Sequence, residues 1–399
     1  MKRKTLIALI VLVSVVLLAE FAFLGYMSYR EGIGNPVLNQ QIESTEPSTQ
    51  PTETTVPATE ETLATEPEET TEVTEPEETT EVTEPAQTES VETEPPHPES
   101  FLLTFVGNCT FGGTPAREHA ETGFLKVVGE NYDYPFQNVR TYFENDDYTL
   151  INLEQVMGDQ GQAANKKWLF RGPVEYARIM TGSSVEGVNI ANNHSYDYGA
   201  EGYAQTQKIL AEAGITYLEN YKSVTVTTKT GLTMALYAVD ASQSAMNQEQ
   251  MAADITALKA SGVEVIIAAF HWGYENTFQP NPAQHELGKA AIDAGANIVW
   301  GHHSNVLQPV EEYNGGIIYY SLGNFSYGGN SQPKDFDTAI LQQEIIRESD
   351  GTIRLGKLTI VPCSVSSVKD RNNFQPTPYE EGSDGYKRVL SKLDGTYKG

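Results

Sequence analysis

Seventy residues that lack the material for a core set the bounds on this chain. Positions 31–100 hold nineteen Glu and no Asp, Lys or Arg, and from residue 36 onward they are almost entirely Thr, Glu, Pro, Ser, Val and Gln. Within them EPEETTEVT runs from Glu66 to Thr74 and again, unchanged, from Glu75 to Thr83. Such a composition offers too little apolar surface to offset the entropy of ordering the backbone. Like charges and prolines favour extended conformers, so the segment is expected to be a disordered stalk. That leaves residues 101–399 to fold, enough chain for one large α/β domain or two smaller ones.

The segment before the stalk has a different character. Lys2, Arg3 and Lys4 precede an uncharged run from Thr5 to Ala19; Glu20 interrupts it, and an apolar stretch continues from Phe21 to Tyr29. As a helix this spans about 30 Å or slightly more, the thickness of a bilayer core. The basic flank predicts an inside N-terminus and an outside bulk. A cleaved signal peptide is the rival reading, but the apolar run is long for one and no clean small-x-small site follows. Residues 1–30 therefore read as a signal-anchor transmembrane helix, 31–100 as the stalk, and 101–399 as an extracellular domain of a single-pass cell-membrane protein.

Of the formal net charge of −28, the stalk accounts for −19 and the first thirty residues for +3, leaving −12 on residues 101–399. An acidic domain argues against nucleic acid, because a polyphosphate needs a positive surface. Any anionic ligand must be met by a local basic patch. The two cysteines, Cys109 and Cys363, are compatible either with a disulfide, which an outward location permits, or with two separate buried thiols.

From Phe101 short β-rich runs alternate with amphipathic helices. Strands are predicted over Leu102–Gly107, Tyr148–Leu153, Gly187–Ala191, Thr233–Val239, Val263–Phe270, Ile298–Trp300, Ile317–Ser321, Ala339–Ile346 and Leu358–Val361. Helices are predicted over Pro135–Glu144, Val174–Met180, Gly202–Ala213, Gln248–Ala260 and Pro282–Ala294, the last capped by Asn281 and stopped by Gly295. The alternation predicts a layered α/β sandwich. Asn108, Glu154, Asn192-Asn193-His194, His271 and His302-His303 each follow a β-run directly. In α/β sheets the carboxyl ends of strands converge on one crevice, so five such segments point to a metal or hydrolase site. A single one of these residues would read as turn chemistry or a hydrogen-bonded histidine.

The segments VGNCTFGG (Val106–Gly113), INLEQ (Ile151–Gln155), FRGP (Phe170–Pro173), ANNHSYDYG (Ala191–Gly199), FHWGYE (Phe270–Glu275), GHHSNVLQPVE (Gly301–Glu311) and YSLGNF (Tyr320–Phe325) resemble, in order and spacing, those of the CapA family of poly-γ-glutamate capsule-biosynthesis proteins. The resemblance implies an α/β/β/α sandwich of the calcineurin-like metallophosphatase type. It implies a role in synthesis, export or anchoring of a capsule polymer. Carried over residue by residue, it makes Glu154 the bridging metal ligand, with Asn193, His271 and one of His302 and His303 as ligands of one metal. His194 becomes the proton donor to a leaving group, oriented by Asp197 or Asp240. These donors suit Mn, Zn or Fe. Lys167 and Arg171 are candidates for binding substrate carboxylate or phosphate, or are solvated surface charges.

Two positions depart from the family pattern. Asn108 stands where an Asp is usual, and Asn305 where a third His is usual. The resemblance implies that both positions serve the same metal, the one not held by Asn193 and His271. Losing the Asp leaves Glu154 as the one evident anion for two dications ~3.5–4 Å apart, which repel strongly. One divalent metal at most is expected. Three functions remain open: a capsule-associated protein that binds or positions an anionic capsule or cell-wall polymer beside other capsule-synthesis membrane proteins; an active hydrolase of phosphoesters or γ-glutamyl amides; and a non-catalytic wall-binding module.

Overall fold

The computed structural model describes residues 97–117 and 120–398. The expected membrane helix and nearly all of the expected stalk lie outside the described residues. Among those described, no helix is long and apolar enough to cross a membrane.

The chain first lays down β1 (Glu99–Thr110) and β2 (Tyr148–Leu153), then a short parallel pair, β3 (Val156–Met157) and β4 (Arg171–Gly172), followed by β5 (Gly187–Asn189) and β6 (Thr216–Leu218). Next come β7 (Lys222–Thr227), β8 (Thr233–Asp240), β9 (Val265–His271), β10 (Ile298–His302), β11 (Val310–Tyr313) and β12 (Gly316–Tyr319). The last are β13 (Asn324–Tyr327), β14 (Asp337–Arg347), β15 (Ile353–Ser364) and β16 (Thr377–Pro378). One sheet has the order β16-β15-β14-β1-β2-β5-β6, with β13 also on β1; the other runs β11-β12-β10-β9-β8-β7.

Alternation along each strand sorts side chains into layers. Phe105, Leu150, Leu236, Ile267, Trp300 and Tyr319 share one buried core between the sheets. On the far side of the second sheet, Ile266, Ala268 and Phe270 pack on Met251 and Ile255 of helix Gln248–Ala260 and on Ala291 and Ile292 of helix Pro282–Ala294. On the far side of the first, Ile151, Leu153 and Val188 meet Ile209 and Leu210 of helix Gly199–Glu212. The mixed α/β layering expected from the sequence is present. Asn281 forms a capping box with Gln284, and Gly295 ends the helix at φ 122°.

The same alternation delivers the polar groups. In β2 and β9 the residues in step with the inter-sheet core end in Asn152 and His271; in β10 the series from Ile298 and Trp300 ends in His302. In β1 the parallel register with β2 shifts between Phe105 and Asn108, a bulge that changes the alternation just before the site. Gly107 is required there, since a Cβ would lie 2.1 Å from the Gly323 carbonyl oxygen.

Several boundaries differ from expectation. The apolar spacing over Pro135–Glu144 reads as one helix, yet the chain forms a 3-10 turn at Tyr134–Phe136 and a helix only at Arg140–Glu144. Phe136 is held by the rings of Phe111, Phe143 and Phe325, and that aromatic packing overrides helical continuity. Val174–Met180 likewise divides into a turn at Val174–Tyr176 and a helix at Ala177–Thr181. Helix Asp384–Leu393 was not expected. Its Lys392 is buried and pairs with Asp335 and Asp337, both at 2.6 Å, while Arg388 pairs with Asp337. Cys109 and Cys363 are both buried free thiols, which settles that alternative against the disulfide.

Candidate functional site

At the carboxyl edge of the strands lies a cavity of about 210 Å³, lined in part by Glu154, Trp168, Phe170, His194, Asn305 and Asn324. Behind it His271 Nε2 lies 3.0 Å from Asn193 Oδ1 and 3.5 Å from Glu154 Oε1. The His303 ring centroid is 4.8 Å from that of His271. Sequence reasoning assigned Glu154, Asn193, His271 and one of His302 and His303 to one metal, and the fold brings the first three together with His303.

Electrostatics make the cluster demanding. Burial, followed by the Glu275 charge, pushes the Glu154 carboxyl up to about 8. Burial, reinforced by His303 and His302, holds His271 well below its ordinary value and so neutral. His271 is thus an uncharged imidazole that gives Glu154 no counter-charge, and ionising the buried carboxyl is costly. One cation among Glu154, Asn193, His271 and His303 would supply that charge, and the donor set suits Mn, Zn or Fe. Among the described residues no group of three or more His, Cys, Asp or Glu is set to hold a metal ion. Here an amide oxygen is one of the donors.

His302 and His303 separate in role. His302 is fully buried at the inter-sheet core, its ring 4.2 Å from that of Trp300, and neither of its nitrogens has a hydrogen-bond partner. Burial lowers it to about 3. His303 is half-buried; burial lowers it, and the charge of Glu275, which lines the cavity, works against that. The backbone turns sharply here, with φ of 91° at His303 and 62° at Asn305, values uncommon outside glycine. His303 is the better placed of the two for the metal.

The opposite side is built differently. Asn108 Nδ2 donates to Asn305 Oδ1 at 3.0 Å and to Asn324 Oδ1 at 3.3 Å. Asn108 Oδ1 accepts from Asn152 Nδ2 at 2.9 Å, and Asn152 Oδ1 accepts from Asn189 Nδ2 at 2.9 Å. The amides satisfy one another and bring no negative charge. This side does not fit a second dication.

His194 Nδ1 is 2.8 Å from Asp197 Oδ2, and Asp197 is fully buried. Asp240 instead accepts from the backbone and hydroxyl of Ser242, so Asp197 is the orienting carboxylate. The Phe170 ring lies 4.3 Å from that of His194.

Neither Lys167 nor Arg171, the two candidates for binding an anion, lines the cavity. The Arg171 guanidinium donates to the carbonyls of Asp159 and Gln160 and lies 3.4 Å over the Tyr198 ring. Its fork is used within the fold, and it does not line the cavity. Lys167 is exposed, its ammonium 4.8 Å above Trp168 at the rim. The lysine that enters the site is Lys166, 2.5 Å from Asp197 Oδ1 and 2.7 Å from the Asn193 carbonyl. No periodicity marks it in its loop. Asn152 had a signal that was missed: it sits two residues before Glu154 in INLEQ, in step with the inward-facing side chains of β2.

Residues 102–328 match the model of a family described as bacterial capsule synthesis protein PGA_cap. The chain is 32% identical over 328 residues to the capsule biosynthesis protein CapA of Bacillus anthracis, covering 74% of this chain and 76% of that protein. It is 28% identical to the PGA biosynthesis protein CapA of Bacillus subtilis, covering 70% and 76%. Among solved structures, NAD nucleotidase of Haemophilus influenzae aligns at 12% identity with a TM-score of 0.35, over 75% of this chain and 63% of that one, a likeness too slight to argue from.

Proposed function

Because the chain belongs to the bacterial capsule synthesis protein family PGA_cap, we propose that it serves synthesis, export or anchoring of poly-γ-glutamate or another anionic capsule polymer. In this reading it is a surface protein tethered by residues 1–30, with residues 31–100 as spacer, working beside other capsule-synthesis membrane proteins. Its domain is a sandwich of the calcineurin-like metallophosphatase type whose metal site is half retained.

One observation supports this above the others. Glu154, Asn193 and His271 converge without a charge to balance them, whereas Asn108 and Asn305 are bonded to each other. Glu154, Asn193, His271 and His303 would hold one divalent ion. When bound, it would offset the acidity of the cavity and acidify a water molecule. The chain's own residues do the rest. His194 presents Nε2 to the cavity while Asp197 holds Nδ1, and the buried Phe170 ring covers His194. A domain of net charge −12 repels a polyanion, so polymer binding depends on the metal and on rim lysines and weakens as salt rises.

A second reading, a one-metal hydrolase, is favoured by the intact His194–Asp197 pair. The test is to measure Mn²⁺ equivalents bound by the intact chain, binding of fluorescent poly-γ-glutamate with and without Mn²⁺, and turnover of a generic phosphodiester. The proposal expects one equivalent, Mn²⁺-dependent binding and negligible turnover. Two equivalents, or rapid turnover abolished by His194→Ala, would overturn it.

A further inference from the structure

We propose that Lys166 is a positioning residue that locks His194 in one tautomer, making Lys166, Asp197 and His194 a preset hydrogen-bonded array in the cavity wall. The inference rests on the reading of His194 as the acid–base group of this site, but needs neither the metal nor the polymer.

Asp197 has no exposed surface and accepts from three donors: Lys166 Nζ on Oδ1 at 2.5 Å, and the Phe170 amide (2.6 Å) and His194 Nδ1 (2.8 Å) on Oδ2. A carboxylate is acceptor-only, so Nδ1 of His194 must bear the proton. Nε2, the remaining nitrogen, is then free to take a proton from, or return one to, a group in the cavity. Lys166 fixes the carboxylate plane on the side away from the imidazole. Without that ion pair Oδ1 would lose its donor and Asp197 would be held only through Oδ2, by the Phe170 amide and His194 itself, so it could rotate and release His194.

Lys166 also donates to the Asn193 carbonyl at 2.7 Å, and the backbone of Ala164 donates to the Asp197 carbonyl at 2.9 Å. One lysine therefore ties the 164–170 loop, which brings Trp168 and Phe170 to the cavity, to the turn bearing Asn193 and His194. Its neighbour Lys167 makes none of these contacts; its ammonium lies over the Trp168 ring.

The test is the nitrogen spectrum of His194 in the intact chain, labelled with ¹⁵N-histidine and held in detergent at alkaline pH, where free imidazole is neutral. The native protein, Lys166→Arg and the control Lys167→Met should each show a single Nδ1–H tautomer with a hydrogen-bonded proton. Lys166→Met should show signals averaged between the two tautomers. If Lys166→Met does not fold, Lys166→Gln decides, since it keeps a donor for the Asn193 carbonyl but lacks the charge. A folded Lys166→Met or Lys166→Gln protein with the native single tautomer overturns the proposal, as does a native spectrum already averaged. Because no arm contains metal or polymer, failure of the capsule reading would leave this result standing.

Discussion

The two sides of the cavity solve the same burial problem in opposite ways. On one, Glu154 and His271 are buried with a mismatch: a carboxyl pushed up to about 8 faces an imidazole kept neutral, and His271 Nδ1 has no partner. On the other, Asn108, Asn152, Asn189 and Asn305 hand hydrogen bonds along a chain of amides. On the function proposed above, the first arrangement is completed by a cation. The second is already complete. An amide replaces a carboxylate in shape but removes the charge that would draw in a metal, and its N–H₂ group satisfies the neighbours the metal would have served.

The comparison is broken most severely at His271. His271→Ala should weaken Mn²⁺ binding by at least about 100-fold in titration calorimetry, since a direct ligand matters more than its supporting shell. Unchanged affinity would place the metal elsewhere.

Next in size is a pH effect. The folded Glu154 carboxyl keeps its proton to about pH 8, whereas its ordinary value is 4.5. Across that window the folded state binds more protons than the unfolded one, so metal-free stability falls as pH rises, by on the order of 1 kcal/mol per unit. Denaturant titrations between these pH values should show the fall in the native chain, less of it in Glu154→Gln, and less again with saturating Mn²⁺. A slope that Glu154→Gln does not change would remove Glu154 as its source.

The opposite side can be rebuilt. Asn108→Asp with Asn305→His should bind a second equivalent of Mn²⁺. Without metal this variant should be less stable by about 2 kcal/mol, because a carboxylate has been buried among amides. If it stays at one equivalent, the amide chain is not what excludes the second ion.

The smallest effect is expected at the residues that sequence reasoning placed in the basic patch. Arg171→Ala should cost about 1–2 kcal/mol of stability through the lost carbonyl contacts while leaving Mn²⁺ affinity within about twofold. Lys167→Ala should change neither measurably, and its polymer binding should fall only modestly.

Much of this was legible beforehand, for reasons specific to each element. Short, β-rich runs buried on both faces mark β2, β9 and β10, and the polar residue that closes or follows each one marks the site. Asn281, Pro282 and Gly295 bracket a helix by local chemistry alone. Asn108 and Asn305 stand out because the resemblance supplies what is usual at those positions. The rest depended on contacts distant in sequence. Lys166 and Lys167 are adjacent and identical, and only the packing of the loop decides which one turns inward. The amide chain needs β1, β2 and β5 side by side before its registry appears. Helix Asp384–Leu393 was not expected, because its Lys392 and Arg388 are held by Asp335 and Asp337, partners far earlier in the chain.

The sheet topology has a kinetic consequence. Strands β7 to β12 form one uninterrupted stretch of chain, whereas β1 must find β14, pairing Glu99 with Arg347 across 248 positions. The inner stretch can zip together from near neighbours. The outer sheet closes a very long loop whose entropy is repaid only at the end. Nascent chains should therefore pass through a species with half of the sandwich formed and Glu154 not yet beside His271, so that any ion held by both would bind only after the outer sheet has closed.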